Sequence, residues 1–405
     1  MIQLPVGNPF SVMAKPVGSA CNLRCKYCYY LEKGKFYKKE KAHLMSEESL
    51  EEFISQYISS QPTKTVTFNW HGGEALLRPL SFYQKIIELE KKYGGGREIT
   101  NTLQTNGTLL TDAWCEFFKE YNWLVGVSVD GPHHLHDRYR RNIQGETSMP
   151  ALLEGIELLN KHKVDWNVLA TVNASNADYP EETYEFLKNL GTPFLQFTPV
   201  VERIKKDGML AHQGDENIRL ADFSVQPKQW GNFICRVFDS WVRNDVGKVF
   251  VQLFDATLAN KMGVPSPVCT MARDCGDALA VEFNGDVYSC DHFVFPHYRL
   301  GNLHKEPLWK MAMSERQKNF GSRKSESLPK KCRECEYLWG CHGECPRNRF
   351  VKTNERGRPL NYLCEGYRMF FKHTDPAFEY MKRQLEKELP PANIMNAIAD
   401  GELTI

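Results

Sequence analysis

Cys21-Asn22-Leu23-Arg24-Cys25-Lys26-Tyr27-Cys28 is a C-x3-C-x2-C run that follows Ser11–Val17, a stretch with strand character. Three thiols this close in sequence can each bind a different iron of one [4Fe–4S] cube, which leaves the fourth iron without a protein ligand. Zinc normally takes a closed set of four ligands, and the nearest other candidate, His43, lies well downstream of Cys28.

Outward from this loop, strand-like and helix-like segments alternate. Ser46 is the expected N-cap of a helix that runs to about Ser59. Strands are expected at 65–69, 99–104, 124–129, 166–172 and 194–198, with helices at 81–93, 112–121, 150–162 and 181–190. Alternation of this kind predicts an α/β fold with a parallel sheet, a partial (β/α)6 barrel of the TIM type. Reactive groups in such folds sit on loops after the carboxyl ends of strands. Cys21, Gly72, Asn106 and Asp130 follow strands one to four in that way.

The expected domain limits are 1–225 for the barrel, 226–264 for a connecting helical segment, 265–375 for a cysteine-rich module, and 376–405 for a closing helix and loose tail. Residues 202–225 read as a charged excursion that contacts substrate. Gln226–Arg243 is a helix with Trp230, Phe233, Ile234, Val237, Phe238 and Trp241 on one side. Asn284-Gly285 marks the turn of a hairpin over Val281–Tyr288.

The cysteine-rich module contains Cys269, Cys275, Cys290, Cys332, Cys335, Cys341, Cys345 and Cys364, enough for two fully ligated cubes. Its C-x2-C knuckle also suits a zinc ribbon. Cys115 and Cys235 remain over, both in expected helices, where a lone cysteine is a small apolar residue. Thirteen cysteines in tight groups point to metal ligation in a reducing compartment rather than to a disulfide framework.

Lysine and arginine total 51 against 50 acidic residues in a chain of 405, so the formal net charge of +1 supplies no field for a nucleic-acid backbone. The early residues hold no apolar run suited to a signal-peptide core, and no stretch elsewhere approaches a membrane span. A cytoplasmic protein without membrane or nucleic-acid partners is expected.

The cysteine loop, with Tyr27 before its last cysteine, resembles that of the radical S-adenosylmethionine (SAM) superfamily. Trp70-His71-Gly72-Gly73-Glu74 resembles that superfamily's Gly-Gly-Glu-Pro motif, with Ala75 in place of the proline. The resemblance implies that Tyr27, Gly73, Glu74, Ser128, Arg140 and Leu195 surround SAM. Glycine carbonyls and Glu74 would face its amino group, Arg140 its carboxylate, Ser128 its ribose and Leu195 its adenine. Arg138 and Arg141 are neighbouring alternatives to Arg140, while His133, His134 and His136 read as a solvated loop. The C-terminal third is similar to the SPASM extension, which implies interleaved ligands. Cys269, Cys275, Cys290 and Cys345 would hold one auxiliary cluster, and Cys332, Cys335, Cys341 and Cys364 the other, for three [4Fe–4S] clusters in all.

Within that superfamily, Cys290-Asp291-His292-Phe293, Phe197–Glu202 and Cys341-His342-Gly343-Glu344-Cys345-Pro346 resemble segments of anaerobic sulfatase-maturating enzymes. These oxidise one cysteine or serine of a sulfatase to Cα-formylglycine. The resemblance implies a sulfatase polypeptide with a Cys/Ser-x-Pro-x-Arg segment as substrate, and an electron donor such as flavodoxin or ferredoxin. A 5′-deoxyadenosyl radical would take hydrogen from Cβ, Asp291 would accept the proton, and Tyr30 is a candidate for placing substrate or cofactor. For Asp291 the competing expectation is a hairpin residue capping its own backbone. Two rivals stay open: a SPASM peptide maturase that forms thioether or carbon–carbon cross-links, and a non-catalytic iron–sulfur or zinc-stapled binding protein.

Overall fold

β1 (Ser11–Lys15) is flanked on one side by β2 (Thr65–Trp70) and on the other by Ala278–Glu282, a strand from far along the chain, both parallel to it. The computed structural model describes residues 8–37, 43–211 and 217–404. Two units emerge: Met1–Ser128, Arg140–Trp166 and Gly276–Ser322 form one, while Val129–Tyr139, Asn167–Cys275 and Arg323–Ile405 form the other.

In the first unit the sheet continues from β2 to β3 (Glu98–Thr105) and β4 (Leu124–Ser128), all parallel. Three helices, α1 (Glu47–Ser60), α2 (Leu80–Tyr93) and α3 (Asp112–Glu120), connect these strands as the alternation predicts. Ser46 caps α1 by accepting from the Ser49 N–H, and Leu50, Phe53, Ile54, Tyr57 and Ile58 fall on its buried face at helical spacing. The hairpin pairs antiparallel with its own return strand, Asp286–Tyr288, as its Asn-Gly turn predicts. It belongs to this sheet, however: Ser11↔Ala278 through Lys15↔Glu282 are in register.

Phe53, Phe68 and Trp70 pack edge and face in this core, and the Trp70 indole N–H donates to Asn101 at 2.8 Å. Asn101 in turn donates to Glu90 Oε2, while Glu90 Oε1 is buried without a partner. Burial pushes the Glu90 carboxyl from 4.5 up to about 8. Below the unfolded value both states hold the proton. Between the two values the unfolded chain ionises while the folded one does not, so stability falls as pH rises toward 8. Glu90→Gln removes that loss. Its thermal midpoint relative to wild type is expected to rise between pH 5 and 8, by the equivalent of roughly 1.4 kcal/mol per pH unit at most. A constant difference across that range would mean that Glu90 is ionised in the fold.

In the second unit the part of the strand Asp165–Val172 from Asn167 onward, Phe194–Pro199 and Phe250–Val251 run side by side in parallel. The expected apolar helix is present as Pro227–Asn244, with Trp230, Phe233, Ile234, Val237 and Phe238 fully buried. It crosses the helix Cys364–Glu386 at two glycines: a Cβ on Gly366 would lie 2.2 Å from the Pro227 carbonyl oxygen, and one on Gly231 would lie 3.0 Å from the Gly366 Cα. Neither position accepts a larger residue without separating the helices.

Several expectations are corrected here. The closing helix begins at Cys364 and runs through Pro376, so the expected break at 375/376 falls inside it. Pro376 lies on an exposed face, where water can satisfy the carbonyl that its missing N–H leaves free. The last residues are no loose tail, because Ile394–Ala399 is helical and buries Ile394 and Ala397. His133–His136 is a short helix rather than a loop, and His136 is buried, with its ring nitrogen accepting from the Asp130 N–H. Part of the expected excursion, 212–216, lies outside the described residues.

Candidate functional site

The chain leaves β1 and turns at once into the cysteine loop. The Cys28 N–H donates to the Cys25 carbonyl, Leu23 pairs with Asn142, and the Arg24 N–H donates to the Arg141 carbonyl at 2.8 Å. Asn106, at the end of β3, donates to Asn22 Oδ1 at 2.8 Å and reaches Cys21 Sγ at 3.8 Å. Burial first, and then Glu74 and Cys28, push the Cys21 thiol up to about 11. A thiol so placed becomes a thiolate readily only beside a cation, and iron in a cluster provides one. None of the thirteen cysteines is in a disulfide.

Gly73 seals the loop from the other side. Its N–H donates to the Gly18 carbonyl, and a Cβ there would lie 1.9 Å from the Ala20 carbonyl oxygen. Glu74 is fully buried, and its carboxylate is spent on the chain itself. Oε1 accepts from Leu76 N–H and Thr105 Oγ1, and Oε2 from Asn106 N–H at 2.8 Å. These bonds join the ends of β2 and β3. Tyr27 is buried with the Arg140 guanidinium over its ring at 5.4 Å, whereas Arg138 and Arg141 are exposed. Ser128 accepts from Gln104 at 3.0 Å at the end of β4. Leu195 is buried on the strand Phe194–Pro199 of the second unit.

Asp291 follows Cys290 and opens a short 3-10 turn, Asp291–Phe293. Its partners come from elsewhere in the first unit. Lys15, fully buried at the end of β1, forms an ion pair with it, and the Tyr29 hydroxyl donates to its other oxygen. Lys15 Nζ also lies 3.1 Å from His71 Nδ1, which accepts from the Gly72 N–H at 2.7 Å. Burial, and then Lys15, hold His71 down at about 3, so its ring is neutral. Burial alone would raise the Asp291 carboxyl, yet the Lys15 ammonium beside it outweighs burial and holds the group well below the usual carboxylate range. Asp291 is therefore an ionised acceptor, not a residue capping its own turn. The Tyr30 ring lies 4.5 Å from Lys15 Nζ, and its hydroxyl donates to Glu282 rather than to Asp291, in a core that includes Ala280, Tyr288 and Val294. Sequence reasoning named Tyr30 and missed Tyr29, Lys15 and His71; Lys15, a cation closing an otherwise apolar strand, was the available signal.

In the second unit Cys332, Cys335, Cys341 and Cys364 line one pocket, together with Leu338, Tyr367 and Phe371. Burial and the neighbouring Cys364 and Cys335 push Cys332 up to about 11. Cys269, Cys275 and Cys345 form another group; burial raises Cys275 to about 11 and Cys345 to about 12, with Cys269 adding to both. Among the described residues no three His, Cys, Asp or Glu side chains are gathered closely enough for one metal ion. A cube takes one thiolate on each iron and spreads its ligands wider, which suits the four-cysteine cavity. Cys115 is fully buried in α3 and Cys235 is part-buried, and no other cysteine perturbs either thiol. Cys115→Ala and Cys235→Ala are each expected to retain full iron and sulfide content, and a missing cluster in either would overturn that reading.

Among the described residues no helix is long and apolar enough to cross a membrane. The Radical SAM superfamily model matches residues 16–187, and the SPASM iron–sulfur cluster-binding domain matches 269–336. A serine-type anaerobic sulfatase-maturating enzyme of Bacteroides thetaiotaomicron is 56% identical over 99% of this chain and 98% of its own. A cysteine-type anaerobic sulfatase-maturating enzyme of Clostridium perfringens is 30% identical over 91% of this chain and 97% of its own. A solved structure, native anSMEcpe with bound AdoMet and Cp18Cys peptide, superposes with a TM-score of 0.82 at 30% identity and covers 93% of this chain and 100% of that one. Radical SAM chemistry thus brings SAM and a [4Fe–4S] cluster, the SPASM domain brings further iron–sulfur clusters, and the chain belongs to the anaerobic sulfatase-maturating enzymes of the radical SAM superfamily.

Proposed function

We propose that the protein converts a serine or cysteine of a sulfatase to Cα-formylglycine, with Asp291 as the acceptor of the proton released. The observation that carries this reading is the ionised Asp291 carboxylate, held by Lys15 and Tyr29 directly after Cys290. The 56% identity to a serine-type relative favours serine as the target.

When bound, the open iron–sulfur cluster supplies a 5′-deoxyadenosyl radical from SAM by one-electron reduction. Cys21, Cys25 and Cys28 would hold that cluster, and the Gly73 turn and the Tyr27–Arg140 pair would line the SAM site. Glu74 acts through the loop it ties down. After hydrogen leaves Cβ, the substrate radical R–CH•–XH gives R–CH=X, one proton and one electron, where X is oxygen or sulfur. Loss of the electron turns X–H into a strong acid, so even a weakly basic carboxylate suffices; Asp291 takes the proton. Cys269, Cys275, Cys290 and Cys345 would hold an oxidised auxiliary cluster able to accept that electron. A thioaldehyde from cysteine is then hydrolysed to the aldehyde.

The ligand sets are those the resemblance implies, and the domain limits stay as read from the sequence apart from the continuous helix at 375/376. A small acidic electron carrier of the flavodoxin or ferredoxin class is the proposed reductant, in a cytoplasmic setting. Anaerobically reconstituted protein, SAM and reductant with Ser-x-Pro-x-Arg and Cys-x-Pro-x-Arg peptides test the reading by mass spectrometry. Aldehyde on either peptide supports it. A cross-linked product or SAM cleavage without aldehyde on both peptides would give the function to the rival peptide maturases.

A further inference from the structure

Lys324, in the helix Glu315–Glu326, is fully buried. Its Nζ donates to three backbone carbonyls, those of Cys269, Thr270 and Ala272, with Thr270 at 3.0 Å. Three acceptors match the three N–H bonds of an ammonium, whereas a neutral amine has only two, so this geometry calls for the charged form. Among the described residues no carboxylate forms a salt bridge with it; nearby Glu344 accepts from Asn348 and Asn361 through one oxygen, Oε2. Burial pulls the Lys324 ammonium down from the usual lysine range, and the negative charge of Cys275, Cys269, Glu344 and Cys345 acts against that.

A second buried cation fixes Lys324 in place. Arg349 donates to the Lys324 carbonyl at 2.5 Å and to the carbonyls of His342, Gly343 and Glu344. Those three residues all have left-handed φ angles, of 45°, 71° and 52°, and form the turn between Cys341 and Cys345. One lysine thus grips the first cysteine loop with its side chain and is tied to the second through its backbone.

We propose that Lys324 sets the reduction potential of the iron–sulfur cluster that Cys269, Cys275 and Cys345 help to hold, so that this cluster can take the electron leaving the substrate. The inference rests on the function proposed above. A cube with four thiolates is already anionic, and one more electron increases that charge. A fixed cation alongside therefore stabilises the reduced form more than the oxidised form and raises the potential. The step moves one electron from the substrate radical to the oxidised cluster and one proton to Asp291. An ammonium buried among carbonyls, without a carboxylate partner, is offset by such an anion.

The test is an EPR-monitored redox titration of the anaerobic holoenzyme, with iron content, for wild type, Lys324→Met and Lys324→Arg. Lys324→Met is expected to keep its iron and to lower the reduced-to-oxidised ratio of one auxiliary cluster at least tenfold at a given potential, about 59 mV for one electron. Lys324→Arg is expected to stay near wild type. Aldehyde formed per 5′-deoxyadenosine should fall in Lys324→Met and recover in Lys324→Arg. An unchanged midpoint in Lys324→Met at full iron content would make the residue a structural tether only and overturn the proposal. Should Lys324→Met lose iron, Lys324→Arg decides: full iron with a wild-type midpoint supports the role of the charge, and any other result overturns it. If wild type makes no aldehyde from either peptide, the function reading fails, while the midpoint shift still reports on Lys324.

Discussion

Replacing Cys21, Cys25 and Cys28 together by alanine is expected to remove about one third of the bound iron and to abolish 5′-deoxyadenosine formation. The loop itself should survive, because backbone bonds shape it: Cys28 N–H to the Cys25 carbonyl, Arg24 N–H to the Arg141 carbonyl, and the Leu23–Asn142 bridge. The loss then belongs to the thiolates and not to misfolding. The remaining cysteines, including the four around the second-unit cavity, should keep about eight irons per chain. Iron and sulfide assays, with chromatography of the cleaved SAM, read both outcomes. Retained SAM cleavage would mean that the open cluster is bound elsewhere, and total loss of iron would mean that the loop supports the whole fold.

Asp291→Asn is expected to lower aldehyde formation by about 10²–10⁴-fold while hydrogen abstraction continues. An amide keeps the shape and accepts from Tyr29, but it is a very weak base. The structure adds a complication: the substitution also strands the buried Lys15 ammonium, and breaking a buried pair from one side destabilises by about 3–5 kcal/mol. A second variant, Lys15→Met with Asp291→Asn, removes both charges and is expected to recover most of the lost stability but none of the aldehyde. With a Cβ-deuterated peptide, deuterated 5′-deoxyadenosine without matching aldehyde supports the proton-acceptor role. Wild-type aldehyde rates in Asp291→Asn would remove it, and recovery of aldehyde in the double variant would recast Asp291 as a counter-ion.

What could be read in the sequence was what neighbouring residues decide among themselves. The C-x3-C-x2-C loop, the Ser46 cap, the apolar face of Pro227–Asn244 and the Asn-Gly turn each depend on a few residues close in the chain. The alternation of strands and helices was legible for the same reason, and with it the α/β class. Tertiary structure decided the partners of buried polar groups. Lys15 meets Asp291 only because the strand Ala278–Glu282 lies beside β1, in a register that joins residues some 260 positions apart. Glu74 receives its hydrogen-bond donors from Thr105 and Asn106 at the end of the next strand. Tyr29 and Tyr30 are adjacent and chemically alike, and only packing turns one toward Asp291 and the other toward Glu282. Local periodicity carries no record of such pairings, because a buried charge is stable only when a distant segment supplies its counterpart.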